Sequence, residues 1–539
     1  MKATILACLV LVTGWAAAET LTFEKVELDG AYRFVGRFPV SDRDFLTTDV
    51  YRITLDKAGR LAEVAYYRRG KNMPDPVFGA CRVQVTQDGD FEVRTRLNSR
   101  GLPVAGADGI ARERLKTNSD GYYTNLFQYD LTGNLKADAA GTSAYLWVPD
   151  AQGQRQRSLR LDKGGNRTAD RNGAWEIAFS YDGSGNRTGA TFLDAQSRPL
   201  QGANGVGGYR WVHDAAGNVV AETRLNPEGR PTADSDGIGR ITWNYDDRGR
   251  VLEKAFWDAS GRAVPDRNGV ARYRCTYNDR LHFVQTENLD ADGQLTLDDR
   301  GIAVKREIWY DQTNEREVRT YGLALNPYYD SLSPALKEGE ERYLLKDDAR
   351  GIAVTRSTYD GDGNEIERKG WNQDLELAPD ASGVAVTKRQ YNDQGLKTSE
   401  AYFGPGNRPM ENRDGVASVK WAYDKNGNTV RRDAFGSTGN LKEDPRGVAS
   451  YLWDYAGGVR VKQTNLGVLA QTKEDDQGVA VYQWTYDKYG NLAEESHFGI
   501  DEKPTEDASG AFILRFSIGP GGEQRLDARF DKDGNRLGS

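Results

Sequence analysis

A repeating pattern of glycines runs along almost the whole chain, and it restricts the possible fold more than any other feature. Glycines recur at 109, 141, 173, 205, 237, 269 and 301, and again at 351, 383, 415, 447, 478 and 510. Most spacings are 32 residues, one is 31, and one is 50, which corresponds to an 18-residue insertion. Weaker copies begin near Gly79 and near position 47. A fixed period of this length is typical of repeat proteins, whose units stack on one another.

Each unit, counted from its first glycine as position zero, begins with apolar and polar residues in alternation. Position 2 is often Ala and position 4 is often aromatic or aliphatic. Trp occupies position 6 in six units and Tyr occupies position 8 in eight, namely Trp147, Trp211, Trp243, Trp421, Trp453 and Trp484, with Tyr181, Tyr245, Tyr277, Tyr359, Tyr391, Tyr423, Tyr455 and Tyr486. Alternation over about eight residues predicts a strand with one buried face. We expect these aromatic side chains to form the core; the alternative is an exposed strip that stacks on sugars or peptides.

A second strand and two turns complete the predicted unit. A second apolar run starts near position 14 and ends at position 20, as at Phe403 and Phe435. An Asp/Asn-x-x-Gly turn at positions 9 to 12, such as Asp424 to Gly427, separates the two strands. Another turn of this type, such as Asp444 to Gly447, ends on the first glycine of the next unit. Asp or Asn at the first position and Gly at the fourth are favoured in type I turns, so these motifs predict chain reversals.

These elements predict an all-β fold, a tandem-repeat antiparallel β-sheet array that forms an elongated or curled ribbon or solenoid. Two strands cannot bury an aromatic face alone, so neighbouring units must stack. At about 10 Å per two-stranded unit, a straight array of thirteen units would exceed roughly 100 Å. Because sheets twist, the array could also curl. A disulfide between Cys81 and Cys275, about six units apart, would demonstrate a curled form.

The chain divides into five predicted segments. Lys2, the apolar run Ala3 to Trp15 and Ala16 to Ala18 before Glu19 predict a signal peptide at residues 1–18, and a lipid anchor on Cys8 is the less favoured alternative. An N-terminal cap segment (19–46), a repeat array (47–319), an insertion-bearing segment (320–348) and a second repeat array with a C-terminal cap (349–539) follow. We therefore expect a periplasmic, secreted or cell-surface protein that does not span the membrane. The net charge of −8 is spread along the chain without a basic stripe, which argues against nucleic acid as a partner.

The tyrosine strands and their turns resemble a known family of repeats. The motif Tyr-Asp-x-x-Gly-Asn occurs at Tyr181 to Asn186, Tyr359 to Asn364, Tyr423 to Asn428 and Tyr486 to Asn491. It resembles the YD or RHS repeats of bacterial secreted and surface proteins, although the 32-residue unit is longer than the usual YD repeat. The resemblance implies a long β-sheet ribbon, which in that family can spiral into a hollow shell or serve in extracellular binding. We find no autoproteolysis signature of the toxin-delivering members, so a repeat scaffold is the main implication.

Residues that could carry chemistry are few. Calcium could be bound by Asp360, Asp362 and Asn364, or by Asp531, Asp533 and Asn535, but most copies of this turn have no acid at the middle position, so we favour a turn without metal. The three histidines, His213, His282 and His497, stand at different repeat positions without metal spacing or a nucleophile motif. A glycosidase carboxylate pair cannot be singled out among 80 Asp and Glu residues. We therefore predict no catalytic residue, no cofactor and no metal site.

The insertion is the most distinctive local feature, since insertions in repeat proteins are often located on the binding face. Ser333 and Pro334 predict the start of a short helix that continues from Ala335 to Leu345. Tyr328, Tyr329 and Asp330 are the predicted recognition residues, and the alternative is an insertion that only covers an edge. The predicted function is a non-enzymatic exported scaffold that binds a protein or a glycan at the bacterial cell envelope. An envelope carbohydrate-active enzyme and a structural filament or surface element are the alternatives, and the sequence does not indicate the oligomeric state.

Overall fold

The computed structural model describes residues 19–41, 44–76, 78–106, 108–138, 140–170, 172–279, 282–325, 343–488, 491–518 and 524–538. The predicted signal peptide and the predicted recognition residues Tyr328, Tyr329 and Asp330 lie outside these ranges. Regular structure in the described residues consists of strands alone, which confirms the all-β prediction. No helix with the length and apolar character of a membrane span occurs among them.

Thirty-five strands occur along the described chain. The first part contains β1 (Glu19–Leu28), β2 (Phe34–Pro39), β3 (Asp49–Leu55), β4 (Leu61–Arg68), β5 (Lys71–Asn72), β6 (Arg82–Asp88), β7 (Phe91–Leu97), β8 (Arg112–Thr117), β9 (Tyr123–Tyr129), β10 (Ala144–Pro149), β11 (Arg155–Leu161), β12 (Glu176–Tyr181), β13 (Arg187–Leu193), β14 (Gly208–His213), β15 (Val219–Leu225), β16 (Arg240–Tyr245), β17 (Val251–Trp257), β18 (Arg272–Asn278) and β19 (Phe283–Leu289). The second part contains β20 (Val304–Tyr310), β21 (Glu315–Leu325), β22 (Tyr343–Leu345), β23 (Val354–Tyr359), β24 (Glu365–Trp371), β25 (Val386–Tyr391), β26 (Lys397–Phe403), β27 (Ser418–Tyr423), β28 (Thr429–Phe435), β29 (Ser450–Ala456), β30 (Val459–Leu466), β31 (Val481–Tyr486), β32 (Leu492–Phe498), β33 (Ile513–Ile518), β34 (Gln524–Phe530) and β35 (Arg536–Leu537).

The strands form one antiparallel ribbon in which spatial order nearly follows chain order. β2 pairs with β1, β1 pairs with β3, and β3 with β4; from β6 to β21 and from β23 to β34 each strand pairs with the next. β4 pairs with β6, and β21 pairs with β23. Within the described residues, each of the short strands β5, β22 and β35 pairs only with the strand that precedes it in the chain. The predicted tandem antiparallel array is therefore confirmed.

One unit shows how the sequence produces this order. In the unit that starts at Gly415, β27 and β28 are joined by the turn Asp424 to Asn428, and a register shift between Ala422 and Tyr423 marks a bulge beside it. Gly427 closes the turn with a φ of 84°, a left-handed conformation that glycine adopts without a steric penalty. β28 ends at Phe435, at position 20, where the sequence places the end of the second strand.

The structure adds a third turn that the sequence analysis missed. After β28 the chain turns at Gly436 to Asn440, where Gly436 N donates to Asn440 O at 2.9 Å. A single bridge between Phe435 and Leu441 follows before the turn at Asp444 begins. The long loop predicted between units therefore consists of two tight turns linked by one bridge residue.

The best-buried positions are not the aromatic ones. Positions 1 and 2 hold Val or Ile followed by Ala, as in Val416 and Ala417, which are 1% and 3% exposed. Position 6 is buried in Trp147, but the other five tryptophans at this position are only half-buried. The prediction that the aromatic face forms the core is therefore confirmed in part: Trp147 belongs to a core cluster, whereas Trp243 and Trp421 pack half-buried against their clusters. The core consists of small clusters of a few side chains.

The recurring tyrosine at position 8 joins its unit to the preceding one in seven units. The hydroxyl of Tyr423 donates to the carbonyl oxygen of Lys397 at 2.7 Å, and Lys397 is the first residue of β26. The same bond to a residue 26 positions earlier is made by Tyr181, Tyr245, Tyr277, Tyr391, Tyr455 and Tyr486. We call this bond the tyrosine staple. It gives the most regular aromatic residue of the repeat a structural function.

The ribbon coils, so that turns of late units contact early parts of the chain. We call this line of contacts the seam. Its contacts follow the chain in order: Glu24 with Arg248, Arg69 with Asp311, Arg100 with Asp362 and with Asp393, and Asn134 with Gly458. The late residues lie in or beside turns between the two strands of a unit, and most of the early residues lie on the opposite edge of the ribbon. The question of a straight or curled array is thereby answered in favour of a coil.

The size of the coil follows from the seam. A Cβ on Gly427 would lie 3.8 Å from Leu131 Cδ1, and the two residues are 296 positions apart, or 278 without the 18-residue insertion. That separation is about nine units of 32 residues. At about 10 Å per unit, one turn of the coil is roughly 90 Å around and roughly 30 Å across. The coil needs no disulfide, since Cys81 and Cys275 are both free thiols.

The described end of the insertion departs from the predicted helix. Tyr343, Leu344 and Leu345 form strand β22, which pairs with β21, although the sequence predicts a helix over this segment. Tyr343 is buried in a cluster with Ala303, Val304 and Tyr321. The end of the predicted helix instead extends the sheet, and the packing of Tyr343 outweighs local helix propensity.

Candidate functional site

The aromatic pattern is interrupted in four consecutive units around the insertion. Position 6, which is Trp in six other units, is Cys275, Glu307, Ser357 and Arg389 in the units that begin at residues 269, 301, 351 and 383. Position 4 also loses its large apolar side chain in the last three of these units, where it is Lys305, Thr355 and Thr387. In the other units that lack Trp, position 6 is Leu115, Phe179 or Phe516. At position 6 the loss of a large apolar side chain is therefore confined to the units around the insertion, whereas at position 4 Glu113 is a further exception.

A cavity of about 490 Å³ lies where these side chains are missing. We call it the trough. Both flanks of the insertion reach it, since Thr320 and Asp348 contribute to its lining. Short hydroxyl side chains line much of its floor: Thr286, Thr320, Thr355, Ser357 and Thr387. Repeat units with Tyr at position 4 and Trp at position 6 would fill the same space with rings, so the trough is a direct consequence of the altered sequence.

Two arginines at the rim of the trough are more exposed than their counterpart elsewhere. Arg300 and Arg350 each precede the first glycine of a unit, and they are 63% and 62% exposed. Arg446 has the same repeat position and is 45% exposed, because its Nη2 donates to the hydroxyl of Tyr482 at 3.1 Å and pairs with Asp475. The counterparts of Tyr482 beside Arg300 and Arg350 are threonines. The missing tyrosines leave both guanidinium groups at the surface of the trough.

The acids near these arginines are already engaged in the turns. Asp298 Oδ1 accepts hydrogen bonds from the backbone N–H groups of Arg300 and Ile302 at 3.0 and 2.9 Å, and Asp298 Oδ2 pairs with Arg300 Nη2 at 3.0 Å. Asp348 makes the same contacts with Arg350 and Ile352. Nε and Nη2 of each arginine therefore face the aspartate. Within the described part of the chain, no acceptor binds Nη1 of either arginine, which leaves that side of the guanidinium for a ligand.

The aspartates first considered as calcium ligands are occupied by their own turns. Asp360 Oδ1 accepts the N–H groups of Asp362 and Asn364, both at 2.9 Å, and Asp360 Oδ2 accepts Asn364 Nδ2. Asp531 makes the same three bonds with Asp533 and Asn535. Burial opposes ionisation of the equivalent Asp424, but these hydrogen bonds outweigh it and lower the pKa of the carboxyl. In the described ranges, no cluster of three or more His, Cys, Asp or Glu side chains has metal-binding geometry.

The histidines and cysteines have separate environments. His282 lies in a second cavity, of about 380 Å³, where its Nδ1 is 3.0 Å from Asp311 Oδ1 and its Nε2 is 3.6 Å from Asp49 Oδ2 across the seam; neither Ser nor Cys lines this cavity. His497 is buried and lies between the Glu495 carboxylate and the Ala511 carbonyl oxygen, each at 2.9 Å. Burial raises the pKa of the Cys81 thiol to about 12, and nearby Asp362 adds to the effect. The structure therefore brings no histidine or cysteine into the trough.

Sequence reasoning located the trough only indirectly. It singled out the insertion, whose flanks line the trough, but its named residues Tyr328, Tyr329 and Asp330 lie outside the described part of the chain. It missed Arg300 and Arg350. A comparison of position 4 between units would have identified the altered units, because Thr355 and Thr387 interrupt a column of mostly large side chains.

Comparisons with known proteins give no family assignment. No family model matches the chain, and no curated protein matches it significantly. Among solved structures, a mutant Tc holotoxin pore from Photorhabdus luminescens is similar at 12% identity and a TM-score of 0.35, over 92% of this chain and 23% of that chain. The TcdB2–TccC3–Cdc42 structure is similar at 11% identity and a TM-score of 0.33, over 94% of this chain and 25% of that chain. The protein thus spans about a quarter of the length of the chains that it matches.

Proposed function

We propose that the protein is an exported, non-enzymatic β-repeat scaffold that binds a protein or glycan partner in the bacterial cell envelope through the trough. The observation that carries this proposal is the coincidence of three departures from the repeat in one place: the insertion, the loss of large side chains at positions 4 and 6, and the cavity that results. Residues that repeat along the ribbon maintain the coil, as the tyrosine staple does. The residues that break the repeat around the trough do not make the staple, and a concave site with convergent polar groups is the usual form of a binding site.

Export and envelope location are supported by the signal-peptide pattern at residues 1–18 and by the resemblance to surface repeat proteins. A binding function is favoured over catalysis because the four acids that line the trough, Asp298, Asp348, Glu365 and Asp380, are engaged in turn hydrogen bonds or ion pairs. A general acid or base needs a carboxyl that can exchange a proton with the substrate.

Co-sedimentation with isolated cell envelopes tests the proposal. We expect the mature protein to pellet with envelopes, and a variant without residues Asn326 to Gly339 to remain in the supernatant while its β-rich circular dichroism is unchanged. Equal pelleting of both proteins would show that the insertion is not part of the site, and no pelleting of either would reject envelope binding. The release of reducing sugar ends from envelope polysaccharide, measured in parallel, would favour the carbohydrate-active alternative.

One observation favours a structural element as the second candidate. Leu469 and Ile500, in turns on the free edge of neighbouring late units, are 85% and 56% exposed. Ile500 has the repeat position of Leu131, which packs in the seam beside Gly427. This edge fits a second copy of the chain. The strand-connecting turns of that copy would contact Ile500 as the turn at Gly427 contacts Leu131 within one chain. Light scattering should then show concentration-dependent association that Leu469→Asp abolishes, and a monomer at all concentrations would reject this candidate.

A further inference from the structure

We infer that the trough binds an extended anionic polysaccharide, with Arg300 and Arg350 as its two main anchors. This inference rests on the proposed binding function and specifies the chemistry of the ligand. It follows from the groups that line the trough together: guanidinium groups at the rim, several hydroxyl groups, and polar side chains that outnumber the apolar ones.

The charge of the trough is opposite to that of the whole protein. Six basic residues line it, against four acidic residues, in a chain of net charge −8: Arg300, Lys305, Arg316, Arg350, Arg368 and Lys369, against Asp298, Asp348, Glu365 and Asp380. Two of the acids, Asp298 and Asp348, are almost fully buried beneath the arginines with which they pair. The other four basic residues pair with Glu307, Glu365 or Glu367. Arg300 and Arg350, whose acids are buried beneath them, are therefore the positive groups that a ligand meets first, and they attract anions.

The arginines favour carboxylate or sulfate groups. A guanidinium presents several N–H donors in a planar fork that matches such oxyanions, and the fork of Arg300 and of Arg350 is engaged on one side only. The two residues occupy the same position in adjacent units, so they repeat at the unit spacing of about 10 Å. A ligand that meets both must carry anionic groups at intervals along an extended chain.

The floor favours a sugar over a peptide. Five hydroxyl side chains and Asn288 line the trough, and hydroxyl and amide groups can both donate to and accept from sugar hydroxyls. A peptide partner is normally held by a buried aromatic or aliphatic anchor in an apolar pocket. In the units beginning at residues 301, 351 and 383, the side chains that could form such a pocket have been replaced by Lys305, Thr355 and Thr387.

The test is a binding titration of the mature protein with four polymers: polygalacturonate, dextran sulfate, uncharged dextran and polyglutamate. Three variants accompany the wild type. Arg300→Ala/Arg350→Ala removes both anchors. Thr355→Tyr/Thr387→Tyr restores the ring that Arg446 meets in Tyr482, and it occupies the trough without a change of charge. Arg267→Ala is the matched control, since Arg267 is an exposed arginine in the same type of turn outside the trough.

We expect wild-type protein to bind polygalacturonate or dextran sulfate, with an affinity that falls as salt is added, and not to bind uncharged dextran. Preference between the two anionic polymers identifies the anionic group as carboxylate or sulfate. Both double variants should bind at least about tenfold more weakly, which is about 1.4 kcal/mol, and Arg267→Ala should remain within twofold. If one double variant does not fold, the other still decides the result.

Three results would overturn the inference. The first is failure of the wild type to bind either anionic polysaccharide, and the second is binding that both double variants retain. The third is stronger binding of polyglutamate, which would assign the trough to an acidic protein. In that case envelope co-sedimentation would still depend on the insertion, so the inference would fail while the proposed function remained. Loss of co-sedimentation in every protein would reject the function itself.

Discussion

The tyrosine staple provides a quantitative test of how the units are joined. Tyr423→Phe removes one hydroxyl and keeps the ring, so it deletes the 2.7 Å hydrogen bond to the Lys397 carbonyl oxygen. A hydrogen bond of this kind contributes about 0.5 to 1.5 kcal/mol net, and about 1 kcal/mol is expected here because the carbonyl is partly buried. Tyr245, Tyr423 and Tyr486 lie in well-separated units, and distant substitutions are usually additive, so the triple Phe variant should lose about 3 kcal/mol.

The assay is equilibrium unfolding in urea, followed by tryptophan fluorescence. With a slope of about 3 kcal/mol per molar, a loss of about 3 kcal/mol lowers the midpoint by about 1 M. Tyr67→Phe is the matched control, since within the described residues the Tyr67 hydroxyl makes no hydrogen bond, and it should change the stability by less than about 0.5 kcal/mol. A triple variant that is no less stable than this control would refute the staple.

The chain also offers the reverse experiment. His213 occupies position 8 of its unit, where most other units have Tyr, and its Nδ1 is buried without a hydrogen-bond partner. His213→Tyr should place a hydroxyl near the carbonyl oxygen of Arg187, which is 26 residues earlier. We expect this variant to be more stable than the wild type by up to about 1 kcal/mol. A loss of stability would show that the position cannot accept a staple.

Two further predictions concern pH and metal. Burial opposes the charging of His497, but its bonds to Glu495 and to the Ala511 carbonyl oxygen outweigh burial and raise its pKa above 6.5. The stabilising contribution of the His497 charge is therefore complete below pH 6.5 and is lost as the pH rises through the raised pKa. His497→Asn introduces the residue that the preceding unit has at the equivalent position, Asn465. This variant should abolish the pH dependence of stability, measured by urea unfolding between pH 5 and 9. Because hydrogen bonds lower the pKa of Asp424, its contribution is present above pH 3.8 and lost as the pH falls further. Asp424→Ala should lower the free energy of unfolding by about 1 kcal/mol at neutral pH. Added calcium should not shift the unfolding midpoint of the wild type. A calcium-dependent shift would support the alternative in which these turns bind the metal.

Much of the fold could be predicted because the repeat shows each local signal many times. The period-two pattern and the Asp-x-x-Gly turns predicted both strands of the unit, including the end of β28 at Phe435. The turn at Gly436 has the sequence Gly-Ser-Thr-Gly-Asn and lacks the leading Asp, but the same turn in other units, such as Asp258 to Gly261 and Asp290 to Gly293, has the full motif and could have been predicted. The half-burial of most tryptophans could not be predicted, because alternation shows which face is more buried and does not show how completely a neighbour covers it.

The coil and the trough depend on contacts that no local pattern contains. Arg100 pairs with Asp362 and Asp393, more than 260 residues away, and nothing near any of these residues in the sequence indicates the contact. The curvature of the ribbon brings them together. The trough became visible only when the same position was compared between units, since Thr355 is an ordinary strand residue by itself. The strand at Tyr343 was taken for a helix because short apolar segments do not show a clear period.

A designed disulfide across the seam tests the coil most directly. Ser99 Oγ hydrogen-bonds to Asp362 Oδ1, and the two residues are 263 positions apart. In a straight ribbon they would be separated by roughly 75 Å, which is far beyond the reach of a disulfide. In a background of Cys81→Ala and Cys275→Ala, Ser99→Cys/Asp362→Cys should oxidise to an intramolecular disulfide detected by mass spectrometry. Ser99→Cys/Asn426→Cys, with the second thiol in the same turn position two units later, should not. Two free thiols in the folded Ser99→Cys/Asp362→Cys protein would contradict the coil.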